Sequence, residues 1–172
     1  MVKVPSATLT TTMLLKYKGD IRVFIETGSH KGGGIYTAQE AGFDEIYSCE
    51  TDPEYWATTF KAVEEDVPNC YLSNMRSETF LDNLAEIIDE PCFFWLDAHM
   101  DGEKYSPLLL ELQVLKRFNN KSVVAIDDRR IFSTWGLSDE FVTRLLKIMN
   151  PDYTITFEDS PVAKQDIVVA HL

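Results

Sequence analysis

Five acids in this chain stand where a hydrophobic run stops: Glu26, Glu50, Asp97 and the neighbours Asp127 and Asp128. Ser73 and Asn74 hold the equivalent place after a weaker apolar run. Between the first two acids lies a glycine-rich stretch, ETGSHKGGG, in the pattern Glu26-x-Gly28-x-x-x-Gly32 followed by Gly33 and Gly34. Carboxylates in such places can hold a cation, take a proton or bind sugar hydroxyls. A glycine-rich turn that opens a helix can bring bare backbone N–H groups up to a ligand.

The glycine loop is expected to bind a nucleoside cofactor through Glu26, Thr27, Gly28, Ser29, His30 and Gly32. Gly28 allows a sharp exit from the strand, and Gly32 to Gly34 allow close backbone approach. A dinucleotide fingerprint needs a glycine where the pyrophosphate packs, and His30 stands there instead. That favours a cofactor without a pyrophosphate and disfavours a nicotinamide oxidoreductase. Glu50 follows about twenty residues later, where an acid commonly binds ribose hydroxyls; capping the next helix beside Asp52 is its alternative role.

Asp97, Asp127 and Asp128 form the candidate metal set. Carboxylates converging at one edge repel each other unless a cation lies between them. Hard oxygen ligands favour magnesium, manganese or calcium over zinc, with magnesium the first expectation. Such an ion would lower the pKa of a substrate hydroxyl and orient it. The alternative is that the acids are helix caps and solvated strand ends. His99, in LDAHMDGEKY, is a candidate general base, a partner of a metal ligand, or a loop histidine bonded to backbone. His30 is a loop residue or lines the cofactor's carboxylate; His171 reads as structural. Trp135 either walls a substrate pocket or simply packs. Arg129 and Arg130 are placed to neutralise the acids or to bind an anionic substrate.

The elements that must position these residues follow from periodicity. Strands are predicted over 21–26, 45–50, 69–73, 91–97 and 121–128, and a closing antiparallel hairpin over 153–157 and 166–170. Helices are predicted over 35–41, after the Asp52-Pro53 cap, after Ser77, after Ser106-Pro107 and over 138–149. Their expected inward faces carry Trp56, Phe60 and Val63; Phe80, Leu84 and Ile87 or Ile88; Leu108, Leu112 and Leu115; and Phe141, Leu145 and Ile148. The alternation implies a doubly wound, mostly parallel sheet with helices on both faces. Ligands then bind at the carboxyl ends of the strands, near the topological switch point. Residues 1–20 are read as an arm or short helix, and 21–172 as one domain.

The formal net charge of −12, from 16 Lys+Arg against 28 Asp+Glu, argues against a nucleic-acid or anionic-membrane partner. Cys49, Cys70 and Cys92 are odd in number and lack metal spacing, so free buried thiols in a reducing, cytoplasmic setting are expected.

These motifs, in this order, resemble the class I S-adenosylmethionine (SAM)-dependent methyltransferases, and within them the metal-dependent O-methyltransferases of the catechol and sugar types. IETGSHKGG is similar to the first motif, IYSCETDPEYW to the second, and FFWLDAHMDGEKYSPLLLELQVLK and VVAIDD to the two metal-bearing strands. The resemblance implies a Rossmann-like seven-stranded sheet with a terminal antiparallel strand, and SAM held by Gly28 and Glu50. Asn74 would lie near the adenine, with a divalent metal on Asp97, Asp127 and Asp128. It also implies methyl transfer to a hydroxyl of a small molecule or glycan. Met100 stands where catechol-type members carry their lysine base, so His99 or Lys104 is the expected substitute. The short N-terminus suggests a pocket open to a large acceptor or completed by a second subunit. The contrasting expectation is a non-catalytic SAM- or nucleoside-binding module, or a degenerate methyltransferase subunit.

Overall fold

The computed structural model describes residues 7–99 and 106–172. Seven strands form one sheet: β1 (Val23–Thr27), β2 (Glu45–Glu50), β3 (Cys70–Asn74), β4 (Cys92–Leu96), β5 (Val123–Ile126), β6 (Thr154–Glu158) and β7 (Ile167–His171). Their order is β3-β2-β1-β4-β5-β7-β6. The first five pair in parallel; β7 is antiparallel to both β5 and β6. The Rossmann-like architecture expected from the sequence is the one observed.

Among the described residues six α-helices cover the sheet. Helices α1 (Thr11–Lys18), α2 (Gly33–Glu40) and α3 (Pro53–Asp66) pack on one face, around Leu14, Ile35, Val63 and the β-strand residues Phe24, Phe93 and Trp95. Helices α4 (Ser77–Leu84), α5 (Leu108–Leu115) and α6 (Asp139–Met149) pack on the other, around Leu81, Leu112, Leu146 and Ile25, Phe94 and Val124. Side chains alternate between faces along a strand. Strands β1, β4 and β5 are buried on both faces; β4 and β5 are accordingly apolar throughout, and β1 is apolar until Glu26 and Thr27 at its carboxyl end. Trp95, Phe93 and Phe94 are core residues, as expected, and the three cysteines are free. Among the described residues no helix is long and apolar enough to cross a membrane.

Several helix details differ from expectation. Asp52 caps α3, with Pro53 in its first position, and Ser138 caps α6. Ser77, however, is the first residue of α4 rather than its cap, and its hydroxyl turns inward to Glu111. In α6 the buried stripe is Val142 and Leu146; Phe141 and Ile148 are exposed and Leu145 is only partly covered. Two adjacent i, i+4 stripes of this helix are both apolar, and spacing alone does not choose between them. In α3, Thr59 is buried and Phe60 is exposed, because Thr59 Oγ1 donates to the His30 carbonyl at 2.6 Å. Ile88, not Ile87, is the inward residue beyond α4.

The chain reverses direction across the sheet between β1 and β4, which opens the crevice expected of a doubly wound fold. Gly28 sits in that crevice at φ +84°, and a Cβ there would lie 2.4 Å from the Asp97 carbonyl oxygen. The loop after β1 therefore crosses the end of β4 in backbone contact. Gly42 also has positive φ, +74°, but has open space around it. Gly42→Ala is expected to cost about 1–2 kcal/mol for its left-handed backbone. Gly28→Ala should cost clearly more, because the Asp97 backbone must also move; equal losses in urea unfolding would show that the contact carries no weight.

Candidate active site

A cleft of about 840 Å³ lies at the carboxyl edge of β1, β2, β4 and β5. It is lined by loop residues Gly28 to Lys31, by Glu50 and Tyr55, and by Met75 and Arg76. Asp97, His99, Asp127, Asp128 and Arg130 also line it. Its volume falls in the range of about 300–1,000 Å³ usual for ligand sites.

The glycine loop is a tight turn bonded mainly to the end of β2. Gly28 and Ser29 both donate their N–H to the Cys49 carbonyl, and Gly32 donates to the Ser29 carbonyl at 2.7 Å. The His30 N–H donates to Glu50 Oε2 at 2.8 Å. The expected row of bare amides is thus largely spent within the protein at positions 28, 29, 30 and 32. What lines the cleft instead is Ser29, buried, with an Oγ that has no hydrogen-bond partner among the described residues. A buried orphan hydroxyl on a cleft wall is a group waiting for a polar ligand. His30 is held at φ +45°, its ring 4.5 Å from that of Tyr55.

Glu26 and Gly34 belong together. Cross-strand neighbour Ser48 donates to Glu26 Oε2 at 2.6 Å. A Cβ on Gly34 would lie 1.8 Å from Glu26 Oε1, so the first turn of α2 closes over the carboxyl only because it carries glycine. Burial pushes the Glu26 carboxyl up to about 8, the Ser48 bond opposing and nearby Glu50 reinforcing the rise. A cationic ligand group entering the cleft would favour its ionised form.

Glu50 spans the loop and the next helix: Oε2 takes the His30 N–H, and Oε1 takes the Asp52 N–H at 2.9 Å. Its helix-end role is therefore real, and it still lines the cleft. Asn74 does not line it. Its Nδ2 donates to the Glu50 carbonyl at 2.7 Å, fixing the β2 and β3 ends, and Met75 and Arg76 line the cleft instead. Thr27 is fully buried beneath the cleft, where Asp97 N donates to its carbonyl at 3.1 Å. Gly32 caps α2 and contacts Thr59, away from the cleft lining.

The three acids expected to share a metal are distributed differently. Among the described residues, ligand atoms lie within 4.8 Å of one another in two groups: Asp97, His99 and Asp128, and Asp127, Asp128 and Asp166. Asp128 belongs to both, and both of its oxygens are engaged. His99 Nε2 contacts Oδ2, and Arg130 Nη1 contacts Oδ1. Asp127 is engaged too: Oδ1 accepts the Asp128 N–H at 2.8 Å, and Oδ2 accepts the hydroxyl of Thr8. Asp97 is the least committed, with His99 Nδ1 3.6 Å from its Oδ1. As arranged, these acids do not fit a metal shared by Asp97, Asp127 and Asp128: among the described residues neither group joins all three, and Asp97 and Asp127 fall in different groups.

The charges follow. Burial first, then Asp127 and Asp128, raise the Asp97 carboxyl well above the ordinary range. Asp127 is pushed up to about 6 by burial, against the pull of Thr8. Burial also opposes charge on Asp128, but His99 and Arg130 outweigh it and hold that carboxyl below its ordinary value. Trp135 packs its ring 5.1 Å from that of His99, within a 3-10 helix over Arg129–Trp135. Arg129 turns away to Asp139. The His171 ring lies 4.9 Å from that of Tyr17, tilted by 49°, and is not part of the cleft lining. Met100, Asp101 and Lys104 lie outside the described residues.

Sequence reasoning missed four residues. Thr8 and Ala7, in the segment read as an arm, line the cleft, and Thr8 bonds Asp127. Asp166, fully buried, meets Arg130. Glu111 of α5 is buried below the cleft, its carboxyl pushed up to about 7 by burial. Asp166 was detectable as an acid heading an apolar run; nothing marks Thr8 in a threonine-rich segment.

The raised Glu26 value has a signed consequence. A carboxyl held at about 8 in the fold and 4.5 when unfolded keeps its proton only in the folded chain between those values, so stability falls as pH rises from about 5 to 8. Glu26→Gln, which retains the bond with Ser48, should flatten that fall. Urea unfolding at pH 5, 6.5 and 8 measures it, and an unchanged slope would count against the neutral, buried carboxyl.

No protein-family model matches this sequence, and no curated protein matches it. Solved structures do. An O-methyltransferase of Bacillus cereus, in complex with S-adenosylhomocysteine (SAH), superposes with a TM-score of 0.65 at 14% identity, over 98% of this chain and 84% of its own. An SAH-bound methyltransferase of Podospora anserina gives 0.63 at 14% identity, over 97% and 79%. An rRNA methylase of Streptococcus thermophilus gives 0.58 at 14% identity, over 99% and 98%. Likeness at this level of identity is likeness of fold: the chain has the Rossmann-like α/β fold seen in these methyltransferases.

Proposed function

We propose that this protein is a SAM-dependent methyltransferase acting on a hydroxyl oxygen of a small molecule or glycan. The observation that carries the reading is His99, set between two carboxylates in a cleft that the glycine loop also lines. SAM, when bound, supplies an electrophilic methyl group on a sulfonium centre. The groups that would hold it are Ser29 Oγ, the Gly28–Gly34 turn, Glu26 for a cationic amine, and Glu50 for ribose hydroxyls. The SAH bound by two of the similar folds supports that choice of ligand.

The chain's own residues account for the proton. With Nε2–H donated to Asp128, His99 presents its Nδ1 lone pair on the side of Asp97. Nδ1 accepts the proton of the acceptor hydroxyl, and Asp128 stabilises the imidazolium that forms, as an orienting carboxylate does in a triad. Trp135 fixes the ring from one side and excludes water there. The net charge of −12 favours an uncharged or cationic acceptor over a polynucleotide.

A second reading is favoured by one observation: Asp97, His99 and Asp128 have ligand atoms close enough to hold a divalent ion. In that case His99 would be a ligand rather than the base.

SAH at 100 times its dissociation constant should add about 2.7 kcal/mol, a rise in Tm of roughly 5–10 °C for a domain of this size. Absence of any shift with SAM or SAH would remove the proposal. Across a panel of hydroxylated acceptors, His99→Gln should slow turnover by ~10²-fold or more while leaving SAH binding intact. Turnover that persists in chelator supports His99 as base, and turnover that ends there supports the metal. SAH binding without turnover on any acceptor would identify a binding module.

A further inference from the structure

The second acidic group, Asp127, Asp128 and Asp166, is buried throughout. Three carboxylates in such a place need a counter-charge. One is present in the chain. Arg130 Nη1 contacts Asp128 Oδ1 and lies 2.5 Å from Asp166 Oδ2. Asp166 is itself fixed: Oδ1 takes the Arg130 N–H at 3.2 Å, Oδ2 takes the Ser160 hydroxyl at 2.8 Å, and its carbonyl takes the Arg129 N–H at 2.8 Å. Its side chain is 0% exposed. The adjacent Arg129 does not share this work; its guanidinium pairs with Asp139 and lies over the Phe157 ring.

We propose that Arg130 is the resident cation of this group: anchored by Asp166, its guanidinium stands where a divalent ion would have to sit and holds Asp128 in place against His99. Arg130 is thus a positioning residue. It ties the end of β5 to the segment between β6 and β7, so the hairpin sets the orientation of Asp128. That Asp128 serves His99 rests on the reading of the site given above; the exclusion of a metal from the second group does not.

A guanidinium and a divalent ion cannot both neutralise the same pair of carboxylates. Removing the guanidinium should therefore turn the group into a metal site, and a lysine, which restores a point charge, should close it again. The test is Mn²⁺ binding to the full chain, by calorimetric titration and by the loss of the free-ion paramagnetic signal. Arg130→Gln is expected to bind Mn²⁺ at least tenfold more tightly than the unaltered protein. Arg130→Lys should stay at the unaltered level, and Arg130→Gln with Asp166→Asn should lose the gain. If Arg130→Gln folds only when Mn²⁺ is added, followed by circular dichroism, the ion has replaced the guanidinium and the proposal stands. It is overturned if Arg130→Gln binds no more tightly than the unaltered chain, if Arg130→Lys gains as much as Arg130→Gln, or if Arg130→Gln remains unfolded with and without Mn²⁺. None of these readings requires methyl transfer, so failure of SAH to bind would refute the proposed function and leave this result standing.

Discussion

Gathering buried carboxylates at one edge of a sheet is costly, and the rest of this site is arranged around meeting that cost. A charged group taken out of water must be neutralised, paired or hydrogen-bonded. The protein uses all three means within one cleft. Glu26 and Glu111, buried on opposite faces of the sheet, are raised towards the proton-bearing form by desolvation. Asp127 is met by the Thr8 hydroxyl and a backbone amide. Asp128 and Asp166 are met by Arg130, and Asp128 also by His99. Asp97, part-exposed to the cleft, is the acid with the most freedom to act.

This division explains why neighbouring residues in sequence do different things. Asp127 and Asp128 follow β5 consecutively, and Asp128 turns into the left-handed region at φ +58°. Their carboxylates consequently meet different partners: Asp127 meets the N-terminal segment, and Asp128 meets His99 and Arg130. Arg129 and Arg130 divide in the same way, one bracing the start of α6 and the other the cleft. The N-terminal segment joins the arrangement because Leu9, Met13 and Leu14 are anchored in the core beside α2, which carries Thr8 to the edge of the sheet.

Much of the fold was legible in the sequence. Short apolar runs such as CFFWL and VVAI, rich in aromatic and β-branched residues, read as strands covered on both faces, and their alternation with helical periodicity implies a parallel sheet. Where inference failed, two local solutions had equal sequence support. Adjacent apolar stripes on α6 could each have faced inward, and Ser77 could have capped a helix or bonded a buried acid.

By itself, then, the sequence determined the strand-end positions of the acids, the glycine turn and the crevice where they meet, because these follow from local periodicity and from the rule that parallel strands present one edge to ligands. Which acids share a partner was decided only by the tertiary structure. Carboxylate pairing depends on distances of a few ångströms between segments far apart in the chain. Thr8 and Asp127 are 119 residues apart, and Arg130 and Asp166 are 36. A spacing rule sees three acids and infers a metal; the folded chain places an arginine, a histidine and a threonine hydroxyl on two of them.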